Sequence, residues 1–430
     1  MLRKLVKGAV TVGAMTMISR VLGFVRDVII ARMFGASAEA DAFFVAFKIP
    51  NFFRRLTAEG AFSQAFVPVF SDVNHRSSTE ETQLLLDAIW TRLTLFLVIL
   101  TALGMVFAEP VMLLFAPGFA NDARMPIAID MLRITFPYLL LISLTAMLSA
   151  VLNSHERYWE SAFNPVWLNV SMITTAIFLS SSLEIPAMSL AWGVLIAGLI
   201  QLAWIIRALA PIGWRPRFTL STHEGVQRVL KNMLPALFGV SVAQINLLVS
   251  TILASLLMAG SVSWLYYADR LLEFRVGVLG VALATVVLPS LSKARSEANW
   301  QAYDQTLDYA LRLIWLVGLP ATIALIMLSE PLMLTLFAYD AFSTEDAHQS
   351  SLALIGYAIG LLALLAIKVL APAYYAREQM ALPVKISVIA LVINLCLSLL
   401  LIDTLAHVGL AFAVSGAAIV NAMLLWFGLR

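Results

Sequence analysis

The sequence predicts an all-α polytopic membrane protein, with about 12 transmembrane helices in two six-helix lobes around a central cavity. Three observations carry that expectation: composition, the succession of apolar stretches, and an internal repeat. Of 430 residues, 61% are hydrophobic and 13% charged, with mean hydropathy +0.90. An ordinary soluble chain is about 45–50% apolar and about 25% charged, and no soluble globule of this size hides so much apolar surface. A lipid-spanning helix needs about 20 apolar residues, so twelve use roughly 240 positions and leave only short loops.

The apolar stretches fall at 9–33, 40–70, 84–108, 128–152, 163–181, 187–209, 234–259, 264–290, 305–329, 350–373, 384–402 and 406–429. The first, second and eighth are unusually polar. The N-terminus is basic and then apolar, but no small-residue cleavage site follows a short apolar core, so it reads as the approach to a retained first helix. With the N-terminus in the cytoplasm, fourteen Lys and Arg residues fall in inside loops, among them Arg3, Lys4, Arg157, Arg207 and Arg377, and only Arg124 stands out among the outside loops. That bias fixes the expected orientation, with both ends of the chain inside.

The repeat has a spacing of about 220. Glu109-Pro110-Val111-Met112-Leu113 recurs as Glu330-Pro331-Leu332-Met333-Leu334 at an offset of 221; Pro68 and Pro289 close comparable helices at the same offset, and Arg157 answers Arg377 at 220. Six helices are an even number, so duplicated copies insert with the same topology about an axis along the membrane normal. The expected organisation is an N-terminal lobe at 1–206, a cytoplasmic linker at 207–233 and a C-terminal lobe at 234–430. Pro211, Gly213 and Pro216 mark the linker, and residues 221–232 are expected to form a short interfacial helix.

The informative residues are charges where lipid should be. Helix 1 carries Arg20, Arg26 and Asp27; helix 2 carries Asp41, Lys48, Arg54, Arg55 and Glu59; helix 8 carries Asp269, Arg270, Glu273 and Arg275. One such group costs about 2.5–3.5 kcal/mol at mid-bilayer, and four facing lipid would cost on the order of 10 kcal/mol. They are expected to face a wet cavity or each other. Asp41, Lys48, Arg55 and Glu59 are 7, 7 and 4 residues apart, a single stripe on an unbroken helix, although Pro50 lies within it. Asp269 and Glu273 stand at i and i+4, with Arg270 three before Glu273. Arg32, Arg133, Arg275 and Arg312 read as internal ion pairs or as side chains snorkelling to headgroups. Arg20, Arg26, Arg54 and Arg270 exceed the acids beside them, and guanidinium forks match phosphate in bidentate fashion. Asp41 and Glu59 either orient those arginines or release them on protonation.

Other chemistry is thin. A net charge of +2 gives no field for nucleic acid, and the single Cys396 excludes disulfides and cysteine-metal sites. The five histidines have no paired-ligand spacing, no Walker-type loop occurs, and no DDxxD-like cluster is present. No cofactor, metal or enzymatic activity is expected.

The runs Ser19-Arg20-Val21-Leu22-Gly23-Phe24-Val25-Arg26-Asp27, Asp41-Ala42-Phe43-Phe44-Val45-Ala46-Phe47-Lys48, Arg54-Arg55 and Ala58-Glu59-Gly60-Ala61-Phe62 through Pro68 resemble the MurJ (MviN) family of lipid II flippases. Gly260 through Phe274, Val281 to Ser292 and Lys368 to Pro372 extend the resemblance over essentially the whole chain. It implies a MATE-like fold of the MOP exporter superfamily with alternating access, and cavity roles for Arg20, Arg26, Asp41, Arg54 and Arg270. Lys48, Arg55 and Glu59 join these as substrate-binding candidates, and Asp269 and Glu273 are candidates for gating or coupling. The implied cargo is undecaprenyl-pyrophosphate-linked disaccharide-pentapeptide, moved from the inner to the outer leaflet of the bacterial cytoplasmic membrane. Family members carry two further helices after the twelfth, associated with a groove for the lipid tail; this sequence ends at Arg430. Expected partners are lipid II, membrane lipids and other cell-wall synthesis proteins, with the chain a monomer. The competing readings are a drug or other lipid-oligosaccharide exporter of the superfamily, which for cationic drugs would expose uncompensated acids, and a non-transporting cell-wall scaffold, which would need no charged cavity.

Overall fold

The computed structural model describes residues 2–56, 62–297 and 299–429. All regular structure among them is helical. The chain divides into two compact units, one of residues 1–34 and 38–248, the other of residues 35–37 and 249–430.

In the first unit, α1 (Leu2–Phe34) and α2 (Ala38–Arg54) are followed by a π turn at 55–56 and by α3 (Ser63–Arg76). Next come α4 (Thr79–Val106), the short α5 (Ala108–Phe115), α6 (Arg124–Thr135), α7 (Pro137–Ser154), α8 (Tyr158–Leu179) and α9 (Met188–Leu209). Ser78 caps α4 by accepting from the Glu81 N–H at 3.3 Å, which satisfies one of the donors a helix start leaves open. Helices here approach through small residues, as expected where lipid supplies no hydrophobic drive between helices. Ser171 on α8 donates to the Gly193 carbonyl on α9 at 2.7 Å, and a Cβ at Gly193 would lie 2.3 Å from Thr175 Oγ1. Trp204 on α9 is wedged between Trp159 and Trp167 of α8, at ring-centroid distances of 5.5 and 5.7 Å.

The polar stretch after α9 is strapped to α4. Asp87 accepts from Trp214 Nε1 and the Arg217 N–H, both at 3.0 Å; Thr91 Oγ1 accepts from the Thr219 N–H at 2.9 Å; Arg92 donates to the Ser221 carbonyl at 3.0 Å. The next helix, α10 (Glu224–Ser255), runs unbroken through Pro235. The separate interfacial helix expected at 221–232 is therefore the opening of α10. A proline removes one helical donor, yet its φ suits the helix and the turn before it continues. Arg228 on that opening turn grips Asp72 of α3 at 3.0 and 3.1 Å. These ties carry the first unit to Leu248, where the sequence placed a linker at 207–233.

The second unit contains α11 (Ser261–Ser296), α12 (Trp300–Met327), the short α13 (Ser329–Phe337), α14 (Thr344–Ile359), α15 (Leu361–Ala376) and α16 (Ala381–Leu429). Its helices are pinned by side chains reaching main-chain carbonyls: Tyr303 to Ala373 at 2.7 Å and Tyr374 to Leu425 at 2.8 Å. α14 and α15 meet at a 41° bend. Ser415 Oγ holds that bend by donating to the Gly356 carbonyl at 2.6 Å and accepting from the Gly360 N–H at 3.1 Å. The 49-residue α16 is interrupted at Ala406, which has φ 48°. There the ring of the buried His407 lies 4.9 Å from that of Trp264, and its Nε2 meets the Gln349 carbonyl at 3.0 Å.

Among the described residues, six helices are long and apolar enough to cross a membrane, or seven if α14 and α15 form one bent span. The 221-residue offset corresponds to matching local structure: α5 and α13 each come after a long helix and one broken residue, Phe107 or Leu328, and carry Glu109 or Glu330 in the first turn. Glu156 and Glu378, beside Arg157 and Arg377, both adopt positive φ in the turn after a helix. Pro68 and Pro289, expected to close helices, lie inside α3 and α11 instead.

Candidate functional site

Within the first unit the predicted charges occupy three separate environments. Arg26 is 3% exposed on α1. Its Nε and Nη2 donate to Asp27 Oδ1 at 2.9 and 2.6 Å, and its Nη1 to Asn169 Oδ1 of α8 at 3.0 Å. Asn169 in turn donates to the Ser19 carbonyl at 3.0 Å. An arginine taken out of water in this way is satisfied locally and joins two helices. Arg20, one turn and a half earlier, is half-buried.

Asp41, fully buried on α2, faces Arg124 Nη1 at 3.5 Å. Arg124 is itself 3% exposed, donates to Asp122 Oδ2 at 2.8 Å through Nε and 2.7 Å through Nη2, and lies 4.2 Å over the Phe119 ring. The hydrogen bond from the Arg124 side chain, aided by its backbone N–H, holds the loop carboxyl of Asp122 below its ordinary range. Asp41 thus belongs to an α2–α6 ion-pair network. Sequence reasoning saw Arg124 only as an outside-loop charge, because its partner lies 83 residues away.

Lys48 and Arg54 are half-buried and Arg55 is exposed. The expected stripe from Asp41 to Glu59 assumes a continuous α-helix; α2 ends at Arg54 and residues 55–56 form a π turn. Glu59 lies outside the described residues. Arg54 Nε donates to Asn51 Oδ1 at 3.1 Å, and Asn51 to the Phe47 carbonyl at 2.9 Å, so the guanidinium is aimed by its own helix. Arg54 lines a cavity of about 730 Å³, whose wall also includes Asn51, Ser149, Asn153, Asn164 and Gln201. Among the described residues, none of the other predicted ones lines it. Asn164 and Gln201 were not predicted; a carboxamide in an otherwise apolar span is the signal that would have found them, since such groups are costly in lipid.

In the second unit Arg270 is half-buried, its Nε and Nη2 on the Tyr266 hydroxyl at 3.2 Å and its Nη1 on Glu273 Oε2 at 3.1 Å. Its guanidinium also lies 5.2 Å from the Tyr266 ring centroid. The predicted i,i+3 pairing is therefore present, with Glu273 exposed and Asp269 half-buried beside it. Tyr266 is the arginine's platform.

The sequence profile of the family described as lipid II flippase MurJ matches residues 30–430. The chain belongs to the MurJ family. MurJ relatives are similar over nearly all of it. The lipid II flippase MurJ of Burkholderia cenocepacia is 41% identical over 432 residues, covering 99% of this chain and 84% of the relative. The probable lipid II flippase MurJ of Vibrio cholerae is 42% identical, covering 100% of this chain and 83% of the relative. Among solved structures, a lipid II flippase MurJ in an inward closed conformation superposes with a TM-score of 0.85 at 29% identity, over 98% of this chain and 87% of that one. An inward-facing multidrug-resistance MATE transporter of the MOP superfamily matches at TM-score 0.78 and 13% identity, covering 98% of each chain. The chain therefore has the MATE-like MOP exporter fold expected of a MurJ protein, that of a multi-pass membrane transporter.

Proposed function

We propose that this chain is a lipid II flippase, translocating the undecaprenyl-pyrophosphate-linked peptidoglycan precursor from the inner to the outer leaflet of the bacterial cytoplasmic membrane. The observation that carries the reading is 41% identity over 99% of the chain to a protein named for that activity. The reaction is transport by alternating access, and no covalent step is asked of the protein. Translocation needs inward and outward states that the bound headgroup stabilises differently.

In this reading the chain works as a monomer with twelve spans. α16 supplies two of them, because 49 residues of helix would measure about 74 Å at 1.5 Å per residue, more than twice a hydrocarbon core of about 30 Å. The N-terminus is cytoplasmic, on the strength of the Lys and Arg bias in the loops. Arg20, Lys48, Arg54, Arg55 and Arg270 supply positive charge for the diphosphate and other acidic groups of the cargo. Arg26 and Asp41, held in their own networks, shape the helices that carry those cations. Glu59 tunes them, and Asp269 and Glu273 take part in gating or coupling beside Arg270. The prenyl chain stays in lipid, since moving it into a polar cavity would forfeit about 0.8 kcal/mol per CH₂.

Arg270→Ala tests the reading. Its side chain is 33% exposed and its ion-pair partner is an exposed glutamate, a pair worth about 0–1 kcal/mol. In leaflet-resolved lipid II labelling, cells depending on the variant are expected to lose outer-leaflet lipid II while the protein accumulates normally. Outer-leaflet lipid II at the unaltered level would overturn the role given to Arg270.

A further inference from the structure

The cavity of about 730 Å³ within the first unit is lined by residues of α2, α3, α7, α8 and α9. That volume lies inside the range of about 300–1,000 Å³ in which small-molecule sites fall. Two side chains of its wall leave buried oxygens without a donor. Gln201, 2% exposed, donates through Nε2 to the Asn164 carbonyl at 3.0 Å, which fixes the amide's orientation and leaves Oε1 unpartnered. Asn164, 6% exposed, leaves Oδ1 in the same condition. Buried acceptors in this state are costly unless a guest or water supplies the missing donor.

The remaining wall has a consistent chemistry. Serines from three helices, together with Asn51, Asn153 and Thr145, offer neutral donors and acceptors, and Arg54 contributes one cationic fork at the α2 edge. Many neutral hydrogen-bonding groups with a single cation suit a guest rich in hydroxyl and amide groups that carries its anionic charge at one end. An N-acylated sugar joined to a diphosphate has that form. The cavity also lies at the end of the unit where α7 hands over to α8, since Asn153, Ser154 and Ser161 line it. Arg157 stands in that turn, so under the orientation above this is the cytoplasmic end.

The geometry points to this cavity as the saccharide subsite of the flippase, with the amino-sugar of the headgroup hydrogen-bonded by Asn164 and Gln201 and its diphosphate towards Arg54. The inference rests on the lipid II reading and adds to it a place for the sugar inside one unit.

Cysteine protection tests it. Cys396 is the one native cysteine, so the full chain carrying Cys396→Ser and Ser149→Cys presents a single thiol on the cavity wall. Its alkylation by a polar maleimide is measured with purified lipid II, and separately with undecaprenyl pyrophosphate lacking the saccharide. Native mass spectrometry of the same samples reports binding. Lipid II at about ten times its Kd is expected to slow labelling about tenfold, with undecaprenyl pyrophosphate leaving the rate nearly unchanged. Gln201→Leu is expected to weaken lipid II binding and leave undecaprenyl pyrophosphate binding as it was. Lipid II bound without protection would overturn the subsite and leave the flippase reading intact, whereas absence of any lipid II binding would overturn both. Equal protection by the two lipids would assign the cavity to the diphosphate and refute the saccharide. Asn153→Cys provides the same readout should Ser149→Cys fail to fold.

Discussion

Replacing Arg26 by alanine removes more than a candidate ligand for phosphate. The guanidinium makes two hydrogen bonds to Asp27 and one to Asn169, and Asp27 is 1% exposed. Truncation breaks the ion pair with the buried Asp27 and severs a polar link between α1 and α8. Breaking one side of a buried pair costs about 3–5 kcal/mol. With an unfolding entropy of about 2.1 cal/mol/K per residue, that corresponds to a Tm lower by about 3–10 °C, the lower figure if all 430 residues unfold together and the higher if the first unit unfolds alone. Thermal unfolding of detergent-purified protein, followed by tryptophan fluorescence, reads the shift directly. Arg26→Gln combined with Asp27→Asn removes both charges and keeps the volume, so it is expected to recover stability to within about 1.5 kcal/mol of the parent. An Arg26→Ala protein melting with the parent, or a double variant no more stable than the single one, would refute the reasoning. Arg26 would then be exposed to solvent and free to act on cargo alone.

Other contacts lead to three more expected outcomes. Gly104→Ala on α4 would put a Cβ 2.1 Å from the ring of Phe136, an overpacking expected to cost about 1–3 kcal/mol in a thermal melt and to be relieved by Phe136→Leu. Ser415→Ala removes the hydroxyl that bridges the Gly356 carbonyl and the Gly360 N–H, and is expected to cost about 1–3 kcal/mol through the lost buried hydrogen bonds. Asp122 has its carboxyl held below the ordinary value of 3.8, so its contribution is present above that value and disappears as pH falls through the depressed one. Asp122→Asn is therefore expected to lower stability at neutral pH and to flatten the acid limb of a Tm-against-pH curve; an unchanged acid limb would count against the Arg124 tie.

The broken segments mark where local reading stopped working. The second apolar stretch, 40–70, carries polar residues at helical spacing; α2 ends at Arg54 and passes into a π turn at 55–56, and Glu59 lies outside the described residues. Residues 221–232 looked separate from the seventh span because they are polar; from Glu224 they run into that span as one helix through Pro235, and Arg228 ties them to Asp72. Among the candidate residues, Arg54 lines a cavity and Arg270 is half-buried, whereas Arg26 and Asp41 are buried against Asn169 and Arg124, 143 and 83 residues away.

Apolar content, charge placement and the 221-residue offset were enough to establish a membrane-spanning helical chain with a repeated local pattern. Each is a local or additive property, summed along the chain whatever its neighbours in space. The partners of the buried charges, the docking of the strap and the hollow beside Gln201 emerged from packing alone. Which side chains meet across helices depends on how whole helices cross, and spacing along one helix carries no record of what stands opposite.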